Sequence, residues 1–172
     1  MPSVQVANYD IDAEALNLRD LLAGVLERVE SVYTSFGVPL PTRRYYTIGQ
    51  PVIDCEQLTV SFLQGYLGPP GDQASGPQRC NMPRTAVMSV DISRPIPVIG
   101  QNGGTPTAEL IQGASDIALV DAWVLLQSLN QFDYWDEDLG SLSGPGVIAT
   151  VEIGAVQGGY VVTTLSLTMA IP

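Results

Sequence analysis

From Ile11 to Phe36 apolar residues return at alternating steps of four and three: Ile11, Ala15, Leu18, Leu22, Val25, Val29, Val32 and Phe36. That spacing lays them on one stripe of a helix, which Leu26 and Tyr33 widen. Asp10 and Asp12 precede the run. Gly37 and Pro39 close it, because glycine tolerates the left-handed exit geometry and proline cannot extend the hydrogen-bond ladder. A strict seven-residue repeat would also suit a coiled coil, but the segments that follow alternate with period two, so the stripe is expected to pack on a sheet.

The β-formers Tyr45, Tyr46, Thr47 and Ile48 predict a first strand over Thr42–Ile48, ended by Gly49 and Pro51. Leu58, Val60 and Phe62 alternate with Gln57, Thr59 and Ser61, which predicts a second strand with one dry face and one wet face. Ala86, Met88, Val90 and Ile92 alternate with Val87, Ser89 and Asp91 in a third, expected to be the antiparallel neighbour of the second. Between these two strands Gly65–Asn81 is far longer than a hairpin needs. Loops of that length carry function or stay disordered, so Tyr66, Pro69, Pro70, Arg79 and Asn81 are candidate contact residues.

A Pro/Gly-rich connector, Pro95–Pro106, leads to a second helical pattern in which Ile111, Ala114, Ala118, Ala122, Leu125, Leu129 and Phe132 share a face. Thr105 or Thr107 is placed to cap its N-terminus, and Glu109 complements the dipole. Gly113, Ala114, Ala118 and Ala122 make one flank thin enough for close packing. Trp123 and Val124 fall off that stripe, Trp123 as core rim. Alternation resumes with Val147, Ala149, Val151 and Ile153. Gln157-Gly158-Gly159 then reverses the chain into Val161, Thr163, Leu165, Leu167, Met169 and Ile171, a terminal hairpin. The order predicts an α+β fold: a single domain, residues 1–172, with two long helices packed on a mostly antiparallel sheet of about five strands.

Composition agrees with a folded chain, since 45% of the 172 residues are hydrophobic and 15% charged. All seven basic residues are arginine (Arg19, Arg28, Arg43, Arg44, Arg79, Arg84 and Arg94), and eighteen acids bring the net charge to −11. Gripping nucleic acid needs clustered cations on the phosphates, so this balance argues against tight binding. It suits solubility, or a surface past which a polyanion moves without sticking. The start, Met1-Pro2-Ser3-Val4-Gln5, is not that of a signal peptide, and no apolar stretch reaches the ~20 residues of a membrane span. The expectation is a chain made in a cytoplasm, with no membrane partner and with Cys55 and Cys80 reduced. They lack CxxC spacing, and no histidine is present to complete a common zinc set.

The absence of histidine and lysine removes the common bases for serine or cysteine nucleophiles. No phosphate loop or dinucleotide fingerprint is present. Acids concentrate in Asp133-Tyr134-Trp135-Asp136-Glu137-Asp138. The spacing of Asp133, Asp136, Glu137 and Asp138 matches no EF-hand, so a solvated acidic surface is expected there, with no catalytic or metal site and no cofactor. Arg43, Arg44 and Tyr45 are of the types enriched at protein–protein hot spots, and an interface explains them better than nucleic acid does.

The layout of helix, three strands with a long loop after the second, helix and C-terminal hairpin resembles the tail-terminator family of long-tailed bacteriophages. Asp54-Cys55-Glu56-Gln57-Leu58 and Gln78-Arg79-Cys80-Asn81-Met82-Pro83-Arg84-Thr85-Ala86 look like stretches in such proteins from phages of actinobacterial hosts. The resemblance implies a virion component that is not an enzyme: a homo-hexameric ring between the last ring of the tail tube protein and the head–tail connector. DNA would pass through its lumen. Another neck, head-completion or tube protein would share this composition. A hydrolase or metal-binding module would instead require the four clustered acids to converge in a pocket.

Overall fold

A computed structural model describes residues 13–71, 84–98, 104–130, 147–156 and 158–171. Its elements are α1 (Ala13–Ser35), β1 (Arg43–Ile48), β2 (Gln57–Leu67), β3 (Arg84–Pro95), α2 (Ala108–Asn130), β4 (Ile148–Ile153) and β5 (Tyr160–Ile171). The strands form one mixed sheet in the order β1-β2-β3-β5-β4, so the fold is α+β with two helices in a single domain. Three pairings are antiparallel; β1 runs parallel to β2.

The ends of the helices follow from their sequences. Gly37, at φ 66°, donates its N–H to the Thr34 carbonyl (3.1 Å), and Val38 donates to the Tyr33 carbonyl (3.0 Å). This paired closure satisfies two carbonyls that α1 would otherwise leave open. At the start of α2, Thr107 caps: its Oγ1 accepts from the Leu110 N–H at 3.4 Å. The Glu109 carboxyl lies below its ordinary range because of its own backbone N–H first and the Thr107 hydroxyl second.

The core lies between the helices and one face of the sheet. Leu22, Val25, Val29, Val32 and Tyr33 are buried on α1, with Leu21 beside the expected stripe, against Leu58, Val60, Met88, Val90, Ile92, Leu165 and Leu167. Ile11 and Phe132 lie outside the described residues. Phe36, expected on the α1 stripe, is partly exposed and meets Trp123 edge to face, with ring centroids 4.5 Å apart. On α2 the buried side is Ala114, Ala118, Asp121, Val124, Leu125 and Ser128. This corrects the expected stripe: Val124 is core, while Ile111 and Gly113 are exposed. A polar residue, Asp121, sits in the middle of the buried side and turns the helix toward its partner on the sheet.

The wet face expected of β2 is also corrected, since Gln57, Thr59 and Ser61 are all buried. Parallel pairing is the cause. Arg43 lies beside Gln57 and Ile48 beside Phe62, so the chain must return along the full length of the strand in residues 49–56. Those eight residues span at most ~28 Å when extended, against ~17 Å along a six-residue strand, so the return stays close to the sheet. It lies against the sheet face opposite the helices. There Gln57 Nε2 donates to the Val52 carbonyl (3.0 Å) and Ser93 Oγ to the Cys55 carbonyl (2.7 Å). The long connection also starts later than expected. Gly65, Tyr66 and Leu67 belong to β2, paired with Ala86, Thr85 and Arg84 past a bulge between Phe62 and Gln64.

One ion cluster ties these layers together. Arg94 of β3 is 7% exposed and Asp121 of α2 is fully buried. Arg94 Nε donates to Asp121 Oδ2 at 2.9 Å and Nη2 to Oδ1 at 3.1 Å, a bidentate pair. Nη2 also reaches the Pro39 carbonyl at 2.8 Å, and Nη1 pairs with Glu56. The Tyr33 hydroxyl of α1 donates to Asp121 Oδ1 at 2.6 Å.

Asp121→Ala would take the bidentate partner from a buried guanidinium, leaving it only Glu56 and the Pro39 carbonyl. Its expected cost is ~3–5 kcal/mol in urea unfolding. Burial first, and the Asp121 charge second, hold the Tyr33 phenol protonated well above its ordinary 10.0. The unfolded chain releases that proton near pH 10, so the contribution of Tyr33 is whole below that pH and fades as pH rises further. Tyr33→Phe should therefore flatten the loss of stability above about pH 10, read from denaturation midpoints between pH 8 and 11.5. An unchanged slope would show that Tyr33 does not couple to folding.

Candidate functional site

The basic and aromatic residues of β1 stand on an edge of the sheet. Alternation sends Arg43, Tyr45 and Thr47 to the face away from the helices, and Arg44, Tyr46 and Ile48 to the helix face. Arg43 Nη1 donates to Asp54 Oδ1 at 2.7 Å and lies 3.6 Å from Cys55 Sγ, while its guanidinium carbon stands 5.1 Å from the centre of the Tyr45 ring. The Cys55 contact and then the Asp54 charge raise the pKa of Arg43. The Cys55 hydrogen bond, helped by Arg43, lowers that of Asp54. Arg44 Nη1 is 3.5 Å from Glu30 Oε1 of α1. These pairs are open to solvent and screened, so they orient side chains more than they stabilise the fold. Ile48 is 81% exposed at the end of the same edge.

Tyr66 belongs to a tight turn rather than to an extended loop surface. Its hydroxyl accepts from the Gly71 N–H at 3.1 Å and donates to the Pro69 carbonyl at 3.4 Å, which fixes Pro69 and Pro70 at the end of β2. Arg79, Asn81, Asp133, Asp136, Glu137 and Asp138 lie outside the described residues, as does Cys80. Cys55 is a free thiol.

Two surface features were not singled out from the sequence. On the outward side of α2, Leu119, Trp123 and Leu126 recur at steps of four and three and are 59%, 44% and 48% exposed, with Val120 alongside. This helix is apolar on both sides, which a helix exposed to water on one side is not expected to be. The second feature is the far edge of the sheet, β4. Ile148 and Ile153 are exposed there, Val147 and Val156 flank them, and Glu152 points to the face away from the helices.

That face also holds an open cleft of about 370 Å³ lined by Gln50, Ser89, Asp91, Glu152, Thr164 and Ser166, among others. Cross-strand register sets Asp91 beside Thr164, and Thr164 beside Glu152. The two Asp91 oxygens already accept from Thr164 Oγ1 and Ser89 Oγ, both at 2.7 Å, so the carboxylate is held as an acceptor by its own sheet. Among the described residues no three His, Cys, Asp or Glu side chains converge as a metal site, and no helix is long and apolar enough to cross a membrane. No protein-family model matches the chain, and no curated protein matches it. The surfaces themselves carry the functional reading.

Thr59 and Ser61 lie beside Asp91 and Ser89 on this face, with buried hydroxyls that no other described group meets. Removing an unpaired buried hydroxyl at nearly constant shape relieves a desolvation cost. Thr59→Val should accordingly leave stability unchanged or raise it by up to ~1 kcal/mol in urea unfolding. A loss of ~1 kcal/mol or more would reveal a partner for that hydroxyl.

Proposed function

We propose that this chain is a structural subunit without enzymatic activity, whose copies assemble into a homo-oligomeric ring. Its likeness to tail terminators makes the ring a hexamer that caps a phage tail tube and joins it to the head–tail connector. It would be made in the host cytoplasm and incorporated into the virion. The observation that carries this reading is the outward apolar stripe of α2. Leu119 and Leu126, with the outer face of Trp123 whose ring also meets Phe36, lie opposite a helix side already buried in the core, so they serve contact with another molecule better than they serve this fold.

Two further features support assembly over catalysis. The sheet has two edges, β1 and β4, that no further described strand covers, and unpaired edges are templates for pairing between chains. The net charge of −11 disfavours retention of nucleic acid, as a lumen through which DNA passes would require.

At high concentration, light scattering and electron microscopy should find closed rings. Leu119→Glu with Leu126→Glu should abolish them while shifting the unfolding midpoint of the subunit little, because neither side chain belongs to the core. A strictly monomeric wild-type protein, both alone and on isolated tail tubes, would overturn the ring.

A further inference from the structure

The directions of the strands constrain how one copy can meet the next. β1 and β2 run together, β3 opposes them, β5 opposes β3 and β4 opposes β5. The two edges of the sheet therefore run in opposite directions. If a second copy is placed beside the first with its helices on the same side, β4 of one copy meets β1 of the next as an antiparallel pair. That is the favoured ladder, and it repeats from copy to copy without reversing the subunit.

Length and chemistry match as well. Both edges are six residues long. For the sheet face to continue, Arg44, Tyr46 and Ile48 must lie opposite Val147, Ala149, Val151 or Ile153, which share the helix side. Two registers that keep the faces cover the whole of β1, against 147–152 or 149–154, and only the first sets Glu152 opposite a cation instead of Tyr45. It sets Ile48 opposite Val147, Tyr46 opposite Ala149 and Arg44 opposite Val151 on the helix face. On the other face it sets Thr47 opposite Ile148, Tyr45 opposite Thr150 and Arg43 opposite Glu152. The most exposed apolar residue of β1 thus gains an apolar neighbour, and the acid of β4 meets a cation. A β1–β1 contact would gather four arginines on one short ladder. A β4–β4 contact would bring together two glutamates, and neither two-fold contact closes a ring by itself.

We propose that β4 of one copy and the β1 edge of the next form an antiparallel strand junction, in the register that sets Glu152 against Arg43. The occupant of each sheet edge is a second copy of this chain. The junction rests on the ring reading and specifies which surfaces build it.

Two measurements on the full chain test the junction. Arg43→Glu or Glu152→Arg alone should raise the dissociation constant of the ring by about tenfold or more, and the double reversal should recover most of the loss. With Cys55→Ser and Cys80→Ser as background, Tyr45→Cys combined with Thr150→Cys should give a ladder of covalent oligomers under mild oxidation, while each single cysteine gives none. Rings that form without this ladder, with charge reversals that simply add, would overturn the junction and leave the ring reading intact. A covalent dimer from Tyr45→Cys alone would overturn it in favour of a β1–β1 contact. Failure of the wild-type protein to oligomerise would remove the ring reading and the junction together.

Discussion

The buried pairing of Arg94 with Asp121 is the constraint from which the rest of the molecule is oriented. One guanidinium on β3 takes in a carboxylate of α2, the acid Glu56 before β2 and the Pro39 carbonyl after α1, while Tyr33 of α1 shares the same carboxylate. A buried ion pair is weak evidence for net stability, because desolvating both charges offsets much of their attraction. Its stronger effect here is geometric. With Asp121 fixed inward, Val124, Leu125 and Ser128 must follow it, and Leu119, Trp123 and Leu126 must turn to the outside. The outward apolar stripe of α2 is thus a consequence of a polar contact in the core.

The parallel pairing of β1 and β2 has a comparable reach. It forces residues 49–56 to lie along the sheet, which buries Thr59 and Ser61 and closes one side of the polar cleft. It also decides the direction of the β1 edge. Had β1 been antiparallel to β2, both sheet edges would run the same way, and a head-to-tail neighbour would meet them in the slanted parallel ladder. A local connection of eight residues therefore bears on how copies can join.

Much of the fold was legible because it rests on periodicity. The stripe from Leu18 to Val32, the alternation of Ala86 to Ile92 and the closing hairpin each put a single apolar face into one core, and local pattern suffices for that. What escaped were residues whose burial depends on partners distant in sequence. Asp121 reads as a surface acid until Arg94 is beside it, and Val124 reads as off-stripe only if the small residues Gly113 and Ala122 are taken to mark the inner side. Thr59 and Ser61 look wet because nothing in their alternation reveals that a parallel neighbour folds its connection over them. Arg43, Arg44 and Tyr45 stand out by type as contact candidates, and the structure sets them on an edge strand of the sheet. Glu152 carries no such signal, since a lone acid on a strand has no distinguishing pattern of its own.

The acidic charge of the chain bears differently on the two surfaces proposed for contact. Copies each carrying a net charge of −11 repel over distances that salt of physiological strength cuts to about 8 Å. Apolar burial is little affected by that screening, so the α2 stripe is suited to supply affinity. An edge ladder with one opposed charge pair adds less energy than direction, because a shift by one residue would exchange the two faces of a whole strand. Repulsion between copies then disfavours loose, unregistered contact, and in the proposed junction the registered edge would hold cation against acid where like charges would otherwise be brought together.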